Sequence, residues 1–212
     1  MSFIAPPSNC SLCDRLCAFR ANNRQKFPLY HNAPVPAFGD LSAEILIVGL
    51  APGLHGANQT GRPFTNDYAG DILYPILKEN GYAKGSYKKI KDDGFELKNV
   101  RVTNAVRCVP PENKPTTTEE KNCRRFLQQE IAAMPNLKII LSLGTVSHKN
   151  VLQALGLKQS FAKFSHGAIH HLPHKQLLLI DSYHTSRYNI NTGVLSYEMF
   201  DALVKKLKGL LS

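Results

Sequence analysis

Five cysteines stand in a pattern that bears on chemistry. Cys10, Cys13 and Cys17 fall within eight residues of one another as C-x2-C-x3-C, and Cys108 and Cys123 follow far downstream as C-x14-C. Residues Met1 to Cys10 lack the charged and apolar regions of a secretory leader, so a disulfide framework is disfavoured, and isolated core cysteines do not usually cluster. A metal site is the better reading. Zinc ribbons use two close pairs, and only one pair is close here. Four thiolates from distant parts of the chain fit a 4Fe-4S cluster better, with Cys10, Cys13, Cys108 and Cys123 as the chosen ligands. Cys17 is the spare, open to the ordinary fate of a small buried apolar residue.

A second candidate runs from Gly49 to Asp67, with four glycines and two prolines in nineteen residues. Such a loop lets backbone amides approach a ligand and leads into a helix start where amides point outward. It ends in neither Gly-Lys-Ser/Thr nor G-x-G-x-x-G, so neither common phosphate-binding motif applies. Long ordered loops tend to be functional, a long structural loop being the alternative. A run of four histidines, His166, His170, His171 and His174, lacks the i, i+4 spacing of helical zinc enzymes and is read as a structural hairpin.

Four short apolar runs must position these residues: 44–50, 100–106, 137–143 and 176–181. Each is too short and too β-branched to prefer a helix. Helical spacing lies between them at Ile72, Leu73, Ile76 and Leu77, at Phe126, Leu127, Ile131 and Met134, and at Val146, Val151, Leu152 and Leu155. A last helix carries Leu195, Met199, Leu203, Leu207 and Leu210. Thr116 with Glu119, and Thr117 with Glu120, both fit a capping box, while Pro75 should shorten or kink the first helix. Alternating strands and helices predict a three-layer α/β/α domain around a mainly parallel four-stranded sheet, with ligand sites at the strands' carboxyl ends. The whole chain, 1–212, reads as one domain, with 1–40 as an irregular cluster-binding arm.

The 212 residues carry 26 Lys and Arg against 16 Asp and Glu, a net charge of +10. Such a balance favours a polyanionic partner, or belongs to a basic soluble protein with no such partner; charge alone leaves both open. No apolar run approaches the roughly 18 residues of a membrane span, so an intracellular, cytoplasmic protein is expected. No exposed apolar helix stripe argues against a monomer.

Several of these segments, taken in order, resemble one family. The early C-x2-C, the string GLAP-x-x-HG-x-N-x-TGR-x-FT-x-D at 49–67, TNAVRC at 103–108, the C-x14-C and a late His-x-Ser-x-x-Asn segment are similar to the family 5, B-type uracil-DNA glycosylases. That branch of the superfamily carries an iron-sulfur cluster, and the likeness extends over most of the chain. It implies a monofunctional glycosylase that flips uracil out of single- or double-stranded DNA and hydrolyses the N-glycosidic bond, with hypoxanthine and xanthine as further candidate bases. It also implies roles. Phe64 would stack on the base, Asn104 would read its O4 and N3–H edge, and His184 would donate toward O2. Asp67 would stabilise the sugar cation or position water, although an Asp before a helix is also a routine N-cap. Gly49, Ala51, Pro52 and, more weakly, His55 would complete the substrate site. Ser186, Arg187, Tyr188, Asn189 and Asn191 would meet DNA. The chain departs from the family at Thr185, where proline is usual; losing a fixed φ should free the loop and lower activity. Gly53 and Gln59 also depart, from Ala and Arg. The rival readings are a damaged-DNA binding protein that keeps pocket and cluster without turnover, and an electron-transfer protein.

Overall fold

The computed structural model describes residues 4–173 and 176–211. All four apolar runs form strands: β1 (Ile45–Gly49), β4 (Val100–Asn104), β5 (Ile139–Leu143) and β7 (Leu178–Ser182). Short strands β2 (Ala83–Lys84) and β3 (Glu96–Leu97) pair antiparallel in a separate ribbon, and β6 (Ile169–His171) pairs antiparallel with β7. The main sheet, in the order β4-β1-β5-β7-β6, therefore has five strands rather than the expected four. The four long strands are mutually parallel and β6 is an antiparallel edge. At three residues, with pattern exposed, half-buried, exposed, β6 shows no apolar run for the sequence to reveal. It forms a hairpin with β7 that holds His170 and His171; His174 lies outside the described residues.

Helices cover both faces. Successive strand residues point to opposite sides: Ile45, Ile47, Val102, Leu141 and Ile180 pack on α3 (Tyr68–Glu79) and α7 (Tyr197–Leu211), while Leu46, Val48, Ile140 and Leu179 pack on α4 (Thr117–Ala133) and α5 (Thr145–Ala154). Short helices α2 (Ala57–Thr60) and α6 (Arg187–Asn191) lie in the loops after β1 and β7. Of the two capping boxes open to α4, the chain uses Thr116 with Glu119. Pro75 neither shortens nor interrupts α3, which runs four residues beyond it. On α7 the buried stripe is Phe200, Leu203, Val204 and Leu207, and Met199 is 37% exposed rather than core.

The arm is not irregular throughout. Its residues Asp14–Lys26 form a helix, α1, which buries only Leu16, Arg20 and Asn23 and so shows no apolar stripe. Polar bonds dock it instead: Arg15 grips Glu119 of α4 through Nε (2.8 Å) and Nη2 (2.7 Å), and Asn122 donates to the Leu12 carbonyl at 2.6 Å. Beneath β4, the fully buried Glu130 of α4 accepts from Arg101, Thr103 and Arg107, so no carboxylate oxygen is left uncompensated. That network fixes the strand that ends at Asn104.

Candidate active site

The carboxyl ends of β1, β4 and β7 converge on one pocket lined by Ala51, Pro52, Ala57, Phe64, Asp67, Ala69, Asn104 and His184. Asn104 is the last residue of β4, directly opposite Gly49 in the pairing register. Its side chain is buried, and among the described residues its carboxamide has no hydrogen-bond partner of its own. Gly49 does not line the pocket but makes it possible. A Cβ there would stand 2.4 Å from Phe64 Cζ and 2.5 Å from Asn104 Oδ1.

The loop that carries Phe64 is locked from behind. Arg62 is buried, bonds Asp93 in bidentate fashion at 2.8 and 2.9 Å, donates to Thr65 at 2.7 Å, and lies over the rings of Phe38, Tyr74 and Tyr87. The guanidinium and two backbone amides hold the Asp93 carboxyl down to about 2. Phe64 itself takes a left-handed φ of 52°, and its carbonyl accepts from the Tyr87 hydroxyl at 3.2 Å. Such a φ is costly for an aromatic residue and persists only where the surroundings over-determine it. The ring is thereby turned into the pocket, its centroid 6.0 Å from that of His184 at an interplanar angle of 27°.

Asp67 is the N-cap of α3, its Oδ1 accepting the Gly70 amide at 2.8 Å, and it also lines the pocket. The two readings of this residue are thus compatible. Burial, reinforced by nearby Asp71, pushes its carboxyl up to about 6 against the pull of the Gly70 and Ala69 amides. Burial pushes His184 down to about 4, so its imidazole is neutral near pH 7. Among the described residues nothing hydrogen-bonds the His184 ring, whereas its carbonyl is held by Asn189 Nδ2 at 2.8 Å.

Other expected site residues fall elsewhere. His55 is exposed and turned to the arm, bonded through Nδ1 to the Tyr30 hydroxyl at 3.1 Å and packed edge-on against Phe27. Ser186 caps α6, Arg187 lies over the Tyr68 ring, Tyr188 is 73% exposed, and Asn191 is exposed. Thr185 is fully buried and its hydroxyl donates to the Ala69 carbonyl of α3 at 3.3 Å. A hydrogen bond to α3 thus stands at the position where proline would have fixed the backbone. Ala57 and Ala69 line the pocket unforeseen; small apolar residues carry no chemical signal in a sequence.

All five cysteines line a second cavity, walled by α1, the β4–α4 connection and α4. Arg20 reaches toward the sulfurs of Cys108 and Cys17, both at 3.6 Å; Asn122 toward Cys13 at 3.7 Å; and the Arg107 amide toward Cys123 at 3.3 Å. Cys17 differs from the rest, its Sγ lying 3.2 Å from the Cys10 carbonyl as a donor. Burial pushes the Cys108 and Cys123 thiols up to about 12 and about 11, with the neighbouring cysteines adding to the shift. Ala51 lines the first pocket and packs against the cysteine group as well. A concavity of about 720 Å³ beside α4 and α5 is lined, among the described residues, by apolar residues and one polar side chain, Gln128.

Residues 36–208 match the family model described as the uracil DNA glycosylase superfamily. The chain belongs to that superfamily. Among curated members of the uracil-DNA glycosylases, it is 41% identical to the type-5 uracil-DNA glycosylase of Thermus thermophilus, over 99% of this chain and 97% of that one. It is 36% identical to the type-5 enzymes of Pyrobaculum aerophilum, over 93% and 87% of the two chains, and of Mycobacterium leprae, over 96% and 93%. Membership accounts for the parallel sheet and for a pocket at its carboxyl end. In this uracil-DNA glycosylase superfamily member, no helix among the described residues is long and apolar enough to cross a membrane.

Proposed function

We propose that this protein is a monofunctional uracil-DNA glycosylase, a hydrolase that removes uracil from DNA and leaves an abasic site. The observation that carries the reading is the pocket itself: an aromatic ring, a carboxamide, a neutral imidazole and a carboxylate line it together, the carboxamide and imidazole without hydrogen-bond partners among the described residues.

A base in a duplex is out of reach, so the nucleotide must leave the stack. Uracil stacks on Phe64, and the Asn104 carboxamide offers one donor to O4 and one acceptor to N3–H. As the glycosidic bond lengthens, negative charge gathers on uracil O2 and positive charge on the sugar. A neutral imidazole N–H from His184 stabilises the first, since a fixed donor in a dry site needs no reorganisation when the charge appears. Ionised Asp67 stabilises the second or holds the attacking water. The loop of Ser186, Arg187, Tyr188, Asn189 and Asn191 meets the DNA where the base has left, with exposed Tyr188 able to stack. The net charge of +10 suits a polyanionic partner.

Cys10, Cys13, Cys108 and Cys123 line one cavity, and a 4Fe-4S cluster held by them would fasten the arm to the domain. A tetrahedral zinc site with Zn–S of 2.3 Å needs sulfurs about 3.8 Å apart. Among the described residues no three cysteine sulfurs lie within 4.8 Å of one another, the closeness that a single zinc ion would demand. Unlike the other four, Cys17 already has a carbonyl to bond.

Anaerobically purified protein is incubated with labelled DNA bearing one uracil, opposite guanine or unpaired, and then treated with alkali. Strand cleavage at that site is the expected result. Intact DNA at enzyme excess, with tight retention of the uracil strand, would favour the binding-only reading.

A further inference from the structure

His148, on the first turn of α5, faces hydrogen-bond acceptors with both ring nitrogens. Its Nε2 lies 3.0 Å from the Ala162 carbonyl and its Nδ1 lies 2.7 Å from Asp181 Oδ1. The other oxygen of Asp181 lies 2.9 Å from His170 Nε2, and the Ser142 hydroxyl donates to Oδ1 at 2.7 Å. Asp181 on β7 and Ser142 on β5 are fully buried, His148 is buried, and the His170 side chain on β6 is 17% exposed. A neutral imidazole has one N–H. With that proton committed to Ala162, His148 Nδ1 presents a lone pair to a carboxylate, and the contact is repulsive unless a cation lies there. Burial opposes a second proton, but the Asp181 hydrogen bond and charge raise the His148 pKa, so a proton is one cation that can lie there and a metal ion shared with His170 is the other. The His148, His170 and Asp181 donor atoms, however, all lie within 4.8 Å of one another.

From this we infer that His148 Nδ1, His170 Nε2 and Asp181 form a binding site for a divalent first-row transition ion, separate from both the glycosylase pocket and the cysteine cavity. Two imidazoles and a carboxylate are the donor types such ions take. The surroundings are those that orient metal ligands: a carbonyl accepts the far N–H of one histidine, and a hydroxyl holds the carboxylate. An ion about 2.0–2.2 Å from nitrogen and oxygen would see the 2.7 and 2.9 Å pairs at roughly 80–90°, and each pair would have to open by roughly 0.5–0.7 Å to reach a tetrahedral angle. Partly exposed His170 on the edge strand offers the route in. The bound ion would tie α5 and the edge hairpin to β7, the strand that leads to His184.

The test compares wild-type protein with His170→Gln and His148→Gln, each stripped by chelator, dialysed against Zn²⁺ and counted for zinc and iron. Wild type should hold one zinc more per chain than either variant at equal iron content. With free zinc about a hundredfold above Kd, the melting temperature of wild type alone should rise by roughly 5–10 °C. Far-UV circular dichroism checks that the variants are folded, and the partly exposed position of His170 makes its substitution the safer of the two. Equal zinc in all three proteins would assign the metal to other ligands and overturn the proposal. So would nitrogen NMR at pH 8, with zinc present, showing His148 protonated on both ring nitrogens, because a proton would then be the missing cation.

Discussion

The ring of Phe64 and the carboxamide of Asn104 meet over the Cα of Gly49, 2.4 and 2.5 Å from where a Cβ would stand. Gly49→Ala must therefore displace the stacking ring, the carboxamide or both. Overpacking of this kind costs about 1–3 kcal/mol, and here the displaced atoms are those assigned to the base. The variant should fold with a lowered melting temperature and release uracil at least about tenfold more slowly in single turnover. Unchanged release would separate the position of Asn104 from the reaction.

Asn104→Ala and His184→Ala remove pocket groups that hydrogen-bond to no other protein group among the described residues, so folding should survive both. Each should slow uracil release by at least about tenfold, within the range found for loss of one preorganised donor. Single-turnover rates with melting curves check this; full activity in either variant would refute that residue's assigned part.

Asp67 predicts the pH dependence. Its carboxyl is held at about 6 in the folded protein, against roughly 3.9 in an unfolded chain. The folded state binds this proton more tightly, so its contribution to stability is complete below the unfolded value and is lost as pH rises through about 6. Activity needs the ionised form and should climb across the same interval, then level off, with His184 already neutral. Asp67→Asn keeps an N-cap for α3 while removing a buried charge. At pH 8 it should melt at or above the wild-type temperature yet lack the rise in rate near pH 6.

Thr185→Val deletes the hydroxyl that bonds Ala69 while keeping the shape. A lost hydrogen bond of this kind is worth about 1 kcal/mol, or roughly 2–4 °C in a domain of this size. Thermal melts measure it, and an unchanged midpoint would mean that packing alone holds the loop.

Among the cysteines, Cys17→Ser should retain full iron and brown absorbance after anaerobic purification, whereas Cys108→Ser should lose both. Iron analysis distinguishes the two, and loss of iron in Cys17→Ser would move Cys17 into the ligand set.

Much of this was legible in the sequence where one residue type forces one arrangement. The four buried strands announced themselves through apolar runs, whereas the resemblance drew attention to Asn104, the last residue of β4, and to His184, two residues past β7. What stayed hidden depends on partners far along the chain. Arg62 sits in the Gly-rich string yet is neutralised by Asp93, 31 residues later, and Asp181 closes a network with His148 from 33 residues earlier. α1 escaped notice because it docks through Arg15 and Asn122 rather than through an apolar stripe, and β6 because an edge strand of three residues needs none. Thr185 looked like a loss of rigidity, since a sequence shows the missing proline but not the carbonyl that receives the hydroxyl.

Ala51 lines the pocket of Asn104 and His184 and also packs on the cluster of Leu16, Val106, Cys123 and Phe126 that lies beside the cysteine cavity. A bulkier side chain there would have to invade one or the other to fit, and a glycine would leave a gap between them. A substitution at this position therefore bears at once on the pocket and on the packing around Cys123, two regions joined through a single methyl group.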